Sequence, residues 1–277
     1  MIRDGTLRLH DGTELFRRSW MPGSPVRAAL VVVHGFGEHS GRYDALVGAL
    51  PAAGFAVHGF DHLGHGRSPG ARGHIASWSS YRDAVGALVD SVGRESPTAP
   101  LFVYGHSMGG LVVLEWLVAE AAAGRSRTAG AILSAPGLIP LEVGKRWQIW
   151  ASRVLSRILP GFSMDLSLGS VSSDPAAITA SREDPLNHRR ASVRWATEAM
   201  AAVGRARAGA SSVRVPLLVV HGDRDRIVDI AGSRWLVDAV GSGDRELRVY
   251  PAHHEVHNDT PRAALVEDLI GWLERRL

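Results

Sequence analysis

Apolar and polar positions follow two regimes along the chain. Residues 6–20 alternate about Asp11-Gly12, a hairpin-turn dipeptide, so two antiparallel strands are expected to open the fold. After them come short strand-like stretches at 28–33, 55–60, 101–104, 130–134, 216–220 and 247–250, of which 28–33 is a continuous apolar run. A strand without alternation is buried on both faces, as in a parallel sheet. Helical character is read at 42–53, 79–92, 111–118 and 230–240, and from Pro261 onward. Strand and helix taking turns in this way predicts an α/β fold with a mostly parallel sheet covered on both sides.

The rhythm breaks once. From 135 to 215 lie 81 residues with no convincing strand, too many for a plain loop in a compact domain. Trp147, Trp150, Val154 and Ile158 recur at helical spacing with Lys145, Arg146, Arg153 and Arg157 nearby, which reads as a cationic amphipathic helix stopped by Pro160-Gly161. Asp174-Pro175 and Asp184-Pro185 mark turns or helix starts, and 191–207 suits another helix. The expected organisation is a core of 1–136 and 213–277 with a helical cap, 137–212, inserted over the C-terminal edge of the sheet, where open α/β proteins bind ligands.

Composition narrows the class. With 45% hydrophobic and 21% charged residues, the chain of 277 reads as a soluble globular protein. Net charge is only +3, no Lys/Arg run exceeds two residues, and aromatic residues do not interleave with basic ones, so nucleic acid is not an expected partner. There are no cysteines, which removes thiolate chemistry and disulfides. The N-terminus lacks the charged-then-apolar pattern of a secretory signal, and no apolar run approaches the roughly 20 residues of a membrane span. A cytoplasmic location is the default expectation, peripheral to membrane where the basic face of the cap makes transient contact with an anionic lipid surface.

The sharpest chemical signal is Gly105-His106-Ser107-Met108-Gly109, which lies between an apolar strand and an apolar helix. A strand that turns straight into a helix through G-x-S-x-G is a nucleophile elbow: the serine sits at a strained turn, and glycines remove side chains that would collide with neighbouring backbone. The N–H of Met108, at the start of the helix, is expected to point at the oxygen of an attacked carbonyl. His34-Gly35-Phe36-Gly37, after the 28–33 strand, can present the N–H of Phe36 to the same oxyanion. Acidic and histidine candidates follow later strands: Asp223 and Asp225 in one loop, His253, His254 and His257 in another. The order serine, acid, histidine is that of the α/β-hydrolases, and three loops after parallel strands meet at one sheet edge. On spacing alone the choice within each loop stays open. Metal chemistry is not expected: His62 and His65 have no ligand set beside them, and His254 is not followed by the histidine that H-E-x-x-H requires.

Six stretches carry a family resemblance: HGFGEHSGRY at 34–43, FDHLGHGRS at 60–68, GHSMGG at 105–110, DPL at 184–186, HGDRDRIV at 221–228 and HHEVHND at 253–259. With these, the chain resembles the monoacylglycerol lipase and lysophospholipase-like branch of the α/β-hydrolases. The resemblance implies a triad of Ser107, Asp225 and His254, no cofactor, and a small lipid ester as substrate, cleaved to fatty acid and alcohol. It also implies a polar pocket in which Glu38, Arg42 and His257 help hold glycerol hydroxyls. Ser181 departs from the tyrosine of some relatives three residues before the cap's Asp-Pro-Leu, so cap contacts are not carried over. A broad carboxylesterase or lysophospholipase is the nearest rival, and a non-catalytic binding protein on the same scaffold a more distant one. Epoxide hydrolases and haloalkane dehalogenases place aspartate at the elbow, where this chain has Ser107.

Overall fold

The computed structural model describes residues 1–139, 155–166 and 169–277. β1 (Ile2–Arg8) and β2 (Glu14–Trp20) form the expected antiparallel hairpin. Its turn places Gly12 at φ +85°, where a glycine costs least. β3 (Ala28–Val33), β4 (Phe55–Phe60), β5 (Leu101–His106) and β6 (Gly130–Ser134) follow. Two short strands, β7 (Ser163–Asp165) and β8 (Arg190–Ser192), pair with each other, and β9 (Leu217–Gly222) and β10 (Arg245–Tyr250) return to the main sheet. Among the described residues that sheet has eight strands in the order β1-β2-β4-β3-β5-β6-β9-β10, parallel from β4 onward. This is the α/β-hydrolase architecture.

Every residue of β3, β4, β5, β6 and β9 is buried, which explains why apolar residues dominate them on both faces. The pleat still sorts them. Val31 and Val33 face the layer built by α2 (Ser79–Glu95) and α3 (Met108–Ala122). Leu30 and Val32 face Leu46 and Val47 of the short α1 (Asp44–Val47), and the same layer holds Leu269 and Trp272 of the C-terminal helix. Each such side chain contributes about 1.5–3 kcal/mol by leaving water, and the two layers fix the sheet whose C-terminal edge carries the loops described below.

Two differences from expectation have local causes. Helix at 42–53 is reduced to a 3-10 turn, Ser40–Tyr43, and the four residues of α1, followed by turns through 54. Gly48 weakens the segment, and Pro51 lacks an N–H and disfavours helix in the residue before it. The inserted segment contains strands after all, β7 and β8, but at three residues each they are too short for a period to register. Helices there begin at capping residues. In α4 (Pro175–Glu183), Asp174 accepts from the N–H of Ala176 and proline occupies the first turn. In α5 (Val193–Gly209), Ser192 caps Trp195, and the wholly buried Ala202 and Ala206 allow close packing on α3. Of the expected cationic helix, Lys145, Arg146, Trp147, Trp150, Arg153 and Val154 lie outside the described residues. Arg157 and Ile158 end a described helical turn, 155–158, with Ile158 largely exposed. No described helix is long and apolar enough to cross a membrane.

Candidate active site

Ser107 sits between β5 and α3 at φ 52°, ψ −115°, a conformation rarely adopted by a residue with a side chain. Such strain costs of order 1–3 kcal/mol and persists only when the surroundings hold it. They do. The Ser107 N–H donates to the Ser134 carbonyl at 2.9 Å, and its own carbonyl accepts from Gly137 at 3.0 Å and Leu111 at 3.1 Å. The flanking glycines are obligatory: a Cβ on Gly105 would stand 2.5 Å from the Gly109 carbonyl oxygen, and one on Gly109 only 2.2 Å from that of Val33. Met108 opens α3, so its N–H has no carbonyl a turn earlier to bond.

The histidine and acid loops arrive from the neighbouring strands β9 and β10. His254 Nε2 lies 2.8 Å from Ser107 Oγ, and its Nδ1 lies 2.7 Å from Asp225 Oδ2. Asp225 Oδ1 accepts from the N–H groups of Ile227 and Val228 at 2.8 and 3.0 Å. Burial pushes this carboxyl's pKa up, but hydrogen bonds from His221 and His254 outweigh it and hold the group well below the usual carboxylate range. Where spacing left alternatives, geometry separates them. Asp223 is half exposed and reaches toward Arg224, and His253 pairs with Asp259 at 3.3 Å. The two loops cross closely at Gly222, where a Cβ would lie 2.2 Å from the His253 carbonyl oxygen.

Phe36 belongs to a loop pressed against the serine: a Cβ on Gly35 would stand 3.4 Å from Ser107 Cβ. The loop is fastened from below by Glu38, whose Oε1 accepts from the Gly35 N–H at 2.6 Å and from the Tyr43 hydroxyl at 2.7 Å. Arg42 donates to Glu38 Oε2 at 3.1 Å and to Glu255 Oε2 at 2.5 Å, tying the Phe36 loop to the loop of His254. Glu38 is held well below the usual range, because His106 and Arg42 beside it outweigh burial. Glu255 has fewer partners, and burial pushes it up despite Arg42. His257 is wholly buried, stacked on Tyr43 at 4.7 Å, with its pKa lowered by burial to about 3. Glu38, Arg42 and His257 lie in one buried layer behind Ser107.

The inserted segment closes onto the Phe36 loop. Gly37, at φ +75°, accepts from the His188 N–H at 2.8 Å, with no room for a Cβ, which would meet the His188 carbonyl oxygen at 2.2 Å. His39 Nε2 lies 2.8 Å from Asp184 Oδ2, and the ring of Phe36 packs 4.2 Å from Trp195. Sequence reasoning missed three participants: His221, which touches Asp225; Glu255, which receives Arg42; and Asp184, which receives His39. All three stand inside quoted motifs, and no local spacing announces their partners.

With serine, imidazole and carboxylate in one hydrogen-bonded chain beside a helix N-terminus, the arrangement suits acyl transfer through a serine ester. A family model described as "Serine aminopeptidase, S33" matches residues 24–261. The monoacylglycerol lipase of Mycolicibacterium smegmatis is 34% identical, over 96% of this chain and 95% of its own. A phospholipase of Bacillus subtilis is 33% identical, over 88% and 93%. The crystal structure of Paleococcus ferrophilus monoacylglycerol lipase superposes with a TM-score of 0.86 at 31% identity, covering 95% of this chain and all of that one. Motifs, fold and relatives agree: the chain belongs to the serine aminopeptidase family of α/β-hydrolases, in its monoacylglycerol lipase-like branch.

Proposed function

We propose that this enzyme hydrolyses monoacylglycerols to a fatty acid and glycerol through an acyl-enzyme on Ser107. The observation that carries the reading is the unbroken chain from Ser107 Oγ through His254 to Asp225. His254 takes the serine proton as the oxygen attacks the ester carbonyl, and Asp225 holds the ring and stabilises its charged form. The amides of Phe36 and Met108 receive the oxyanion. The proton on His254 passes to the departing glycerol, and a water activated by the same imidazole then releases the fatty acid. No cofactor is needed. Segment 137–212 is the cap over the acyl site. Glu38, Arg42 and His257 act on the alcohol side through the loop they support.

A second reading, lysophospholipase, is favoured by the 33% identity to the Bacillus phospholipase. Hydrolysis of monoacylglycerol, triacylglycerol and lysophospholipid by one preparation separates them: equal rates on all three would remove the monoacylglycerol preference. A fluorophosphonate should label the enzyme and not its Ser107→Ala variant. Labelling that survives the substitution sinks the serine assignment. Glu38→Gln should lower kcat/KM equally on glycerol and simple alkyl esters if the buried layer only supports, whereas a selective loss on glycerol esters would assign it direct contact. Four large apolar side chains of the cap stand at least half exposed: Ile158, Leu159, Phe162 and Met164. They support transient docking on a lipid surface. Phe162→Ser with Met164→Ser should reduce co-sedimentation with phosphatidylglycerol vesicles while leaving hydrolysis of a soluble ester unchanged.

A further inference from the structure

We infer that His221, steadied by Ser233, is a positioning residue that sets how strongly Asp225 supports charge on His254. The inference rests on the triad reading above. Asp225 is enclosed by four donors, and the division between its oxygens is uneven. Two backbone N–H groups serve Oδ1, while Oδ2 faces two imidazoles, His254 Nδ1 at 2.7 Å and His221 Nε2 at 3.1 Å. His221 is wholly buried near the end of β9, four residues before the acid. Its Nε2 also lies 3.2 Å from the Val228 carbonyl oxygen. Both neighbours of Nε2 are acceptors, so that nitrogen carries the hydrogen. On the far side of the ring, Nδ1 lies 2.7 Å from Ser233 Oγ, on the buried face of α6 (Ile230–Ala239). The hydroxyl can donate to Nδ1, and that bond selects the tautomer with N–H on Nε2. Without it the ring is free to turn a lone pair toward the carboxylate.

Two consequences follow for His254. A carboxylate oxygen with the His221 Nε2 nitrogen 3.1 Å away has part of its charge satisfied and draws the His254 proton less strongly. The same contact, with the Ile227 and Val228 N–H groups on Oδ1, restrains the carboxylate plane and so the aim of the His254 ring at Ser107. Removing the His221 donor therefore raises the basicity of His254 and loosens its orientation, and both lower turnover at a pH near the acid limb. Other groups that face His254 or its partner are His106 from β5, with ring centroids 4.8 Å apart, and Glu255 and His257 from its own loop. Beyond them lie Glu38 and Arg42. Substitution at 221 or 233 alters none of these, so a displaced titration is assigned to His221.

The test is steady-state kinetics on a soluble p-nitrophenyl ester against pH for His221→Leu, His221→Gln and Ser233→Ala, each normalised to sites titrated with a fluorophosphonate. For His221→Leu, kcat should fall on the order of tenfold, the rate equivalent of one charge-assisted hydrogen bond, with KM little changed. The acid limb of kcat/KM should move up by roughly half a pH unit or more. His221→Gln keeps a donor and should recover most of kcat and return the limb toward its starting place. Ser233→Ala should lie between. An unmoved limb with glutamine no better than leucine would show that His221 only fills space and overturn the inference. If the leucine variant does not fold, Ser233→Ala decides: a wild-type limb and kcat there overturn it equally. Retained labelling in Ser107→Ala would instead refute the triad reading, a result distinguishable from either outcome at 221.

Discussion

Arg42 bridges two buried carboxylates, Glu38 and Glu255, and replacing it by methionine tests whether the layer behind Ser107 is held by charge. The substitution keeps much of the apolar stem and deletes the bonds to Glu38 at 3.1 Å and Glu255 at 2.5 Å. Removing one partner of a buried ion pair costs about 3–5 kcal/mol, because the remaining charge is stranded. At roughly 2–3 °C per kcal/mol for a chain of this size, the expected fall in Tm at pH 7.5 is about 6–15 °C. The pH dependence gives the sharper signature. Glu255 is already pushed above the ordinary carboxylate range by burial. For a group raised in the folded state, stability is fullest below the unfolded pKa and is lost as pH rises through the folded one. Without Arg42 that folded pKa rises further, so the Tm gap to wild type should be wide at pH 7.5 and narrow at pH 5.5, and Glu255→Gln added to Arg42→Met should recover a large part of it. Differential scanning calorimetry of wild type, Arg42→Met, Glu255→Gln and the double variant at the two pH values reads this directly. A gap independent of pH, with no recovery from Glu255→Gln, would refute the electrostatic account.

Gly109→Ala drives a Cβ to 2.2 Å from the Val33 carbonyl oxygen, part of the backbone of a central strand; urea unfolding should show a loss of about 1–3 kcal/mol or more, and fluorophosphonate labelling should be lost with it. Asp225→Asn leaves the fold nearly intact but offers the wrong partner to His254 Nδ1, and kcat should fall by about 10³–10⁴-fold with KM little changed; a loss under tenfold would demote the residue. Asp259, whose carboxyl accepts from Ser173 and from the N–H groups of His253 and Thr260, is held down to about 2 because those bonds outweigh burial. Its stabilisation is present above the unfolded value of 3.8 and is lost as pH falls toward 2. Acid-unfolding curves of Asp259→Asn should therefore be flatter than wild type across that window.

Strands β3, β4 and β6 are legible residue for residue, because apolar residues dominate both of their buried faces, whereas β5 and β9 run on into His106 and His221-Gly222 at the sheet edge. The hairpin and the start of α4 at Asp174-Pro175 are legible for a related reason: turn and capping chemistry act within a few residues. Legibility falls as partners separate in sequence. Arg42 and Glu255 are 213 residues apart, and nothing near either announces the other. His221 stands in a motif that draws the eye to its aspartates, yet its bond to Asp225 depends on how the chain turns after β9. The segment at 42–53 shows the opposite failure, where apolar spacing suits a helix and Gly48 and Pro51 end it early.

The hydrogen bond from the His188 N–H to the Gly37 carbonyl bears on how this scaffold can be re-engineered. It joins the inserted segment to the residue next to Phe36, and His39 with Asp184 makes a second tie between the same two pieces. An inserted segment exchanged between relatives to change acyl-chain preference would thus carry half of each fastening with it. Grafts that keep 184–188 with their native loop should preserve turnover. Grafts that cut between them would change the rate constant while appearing to change only the pocket, and a chimera's selectivity is interpretable only when those junctions are left whole.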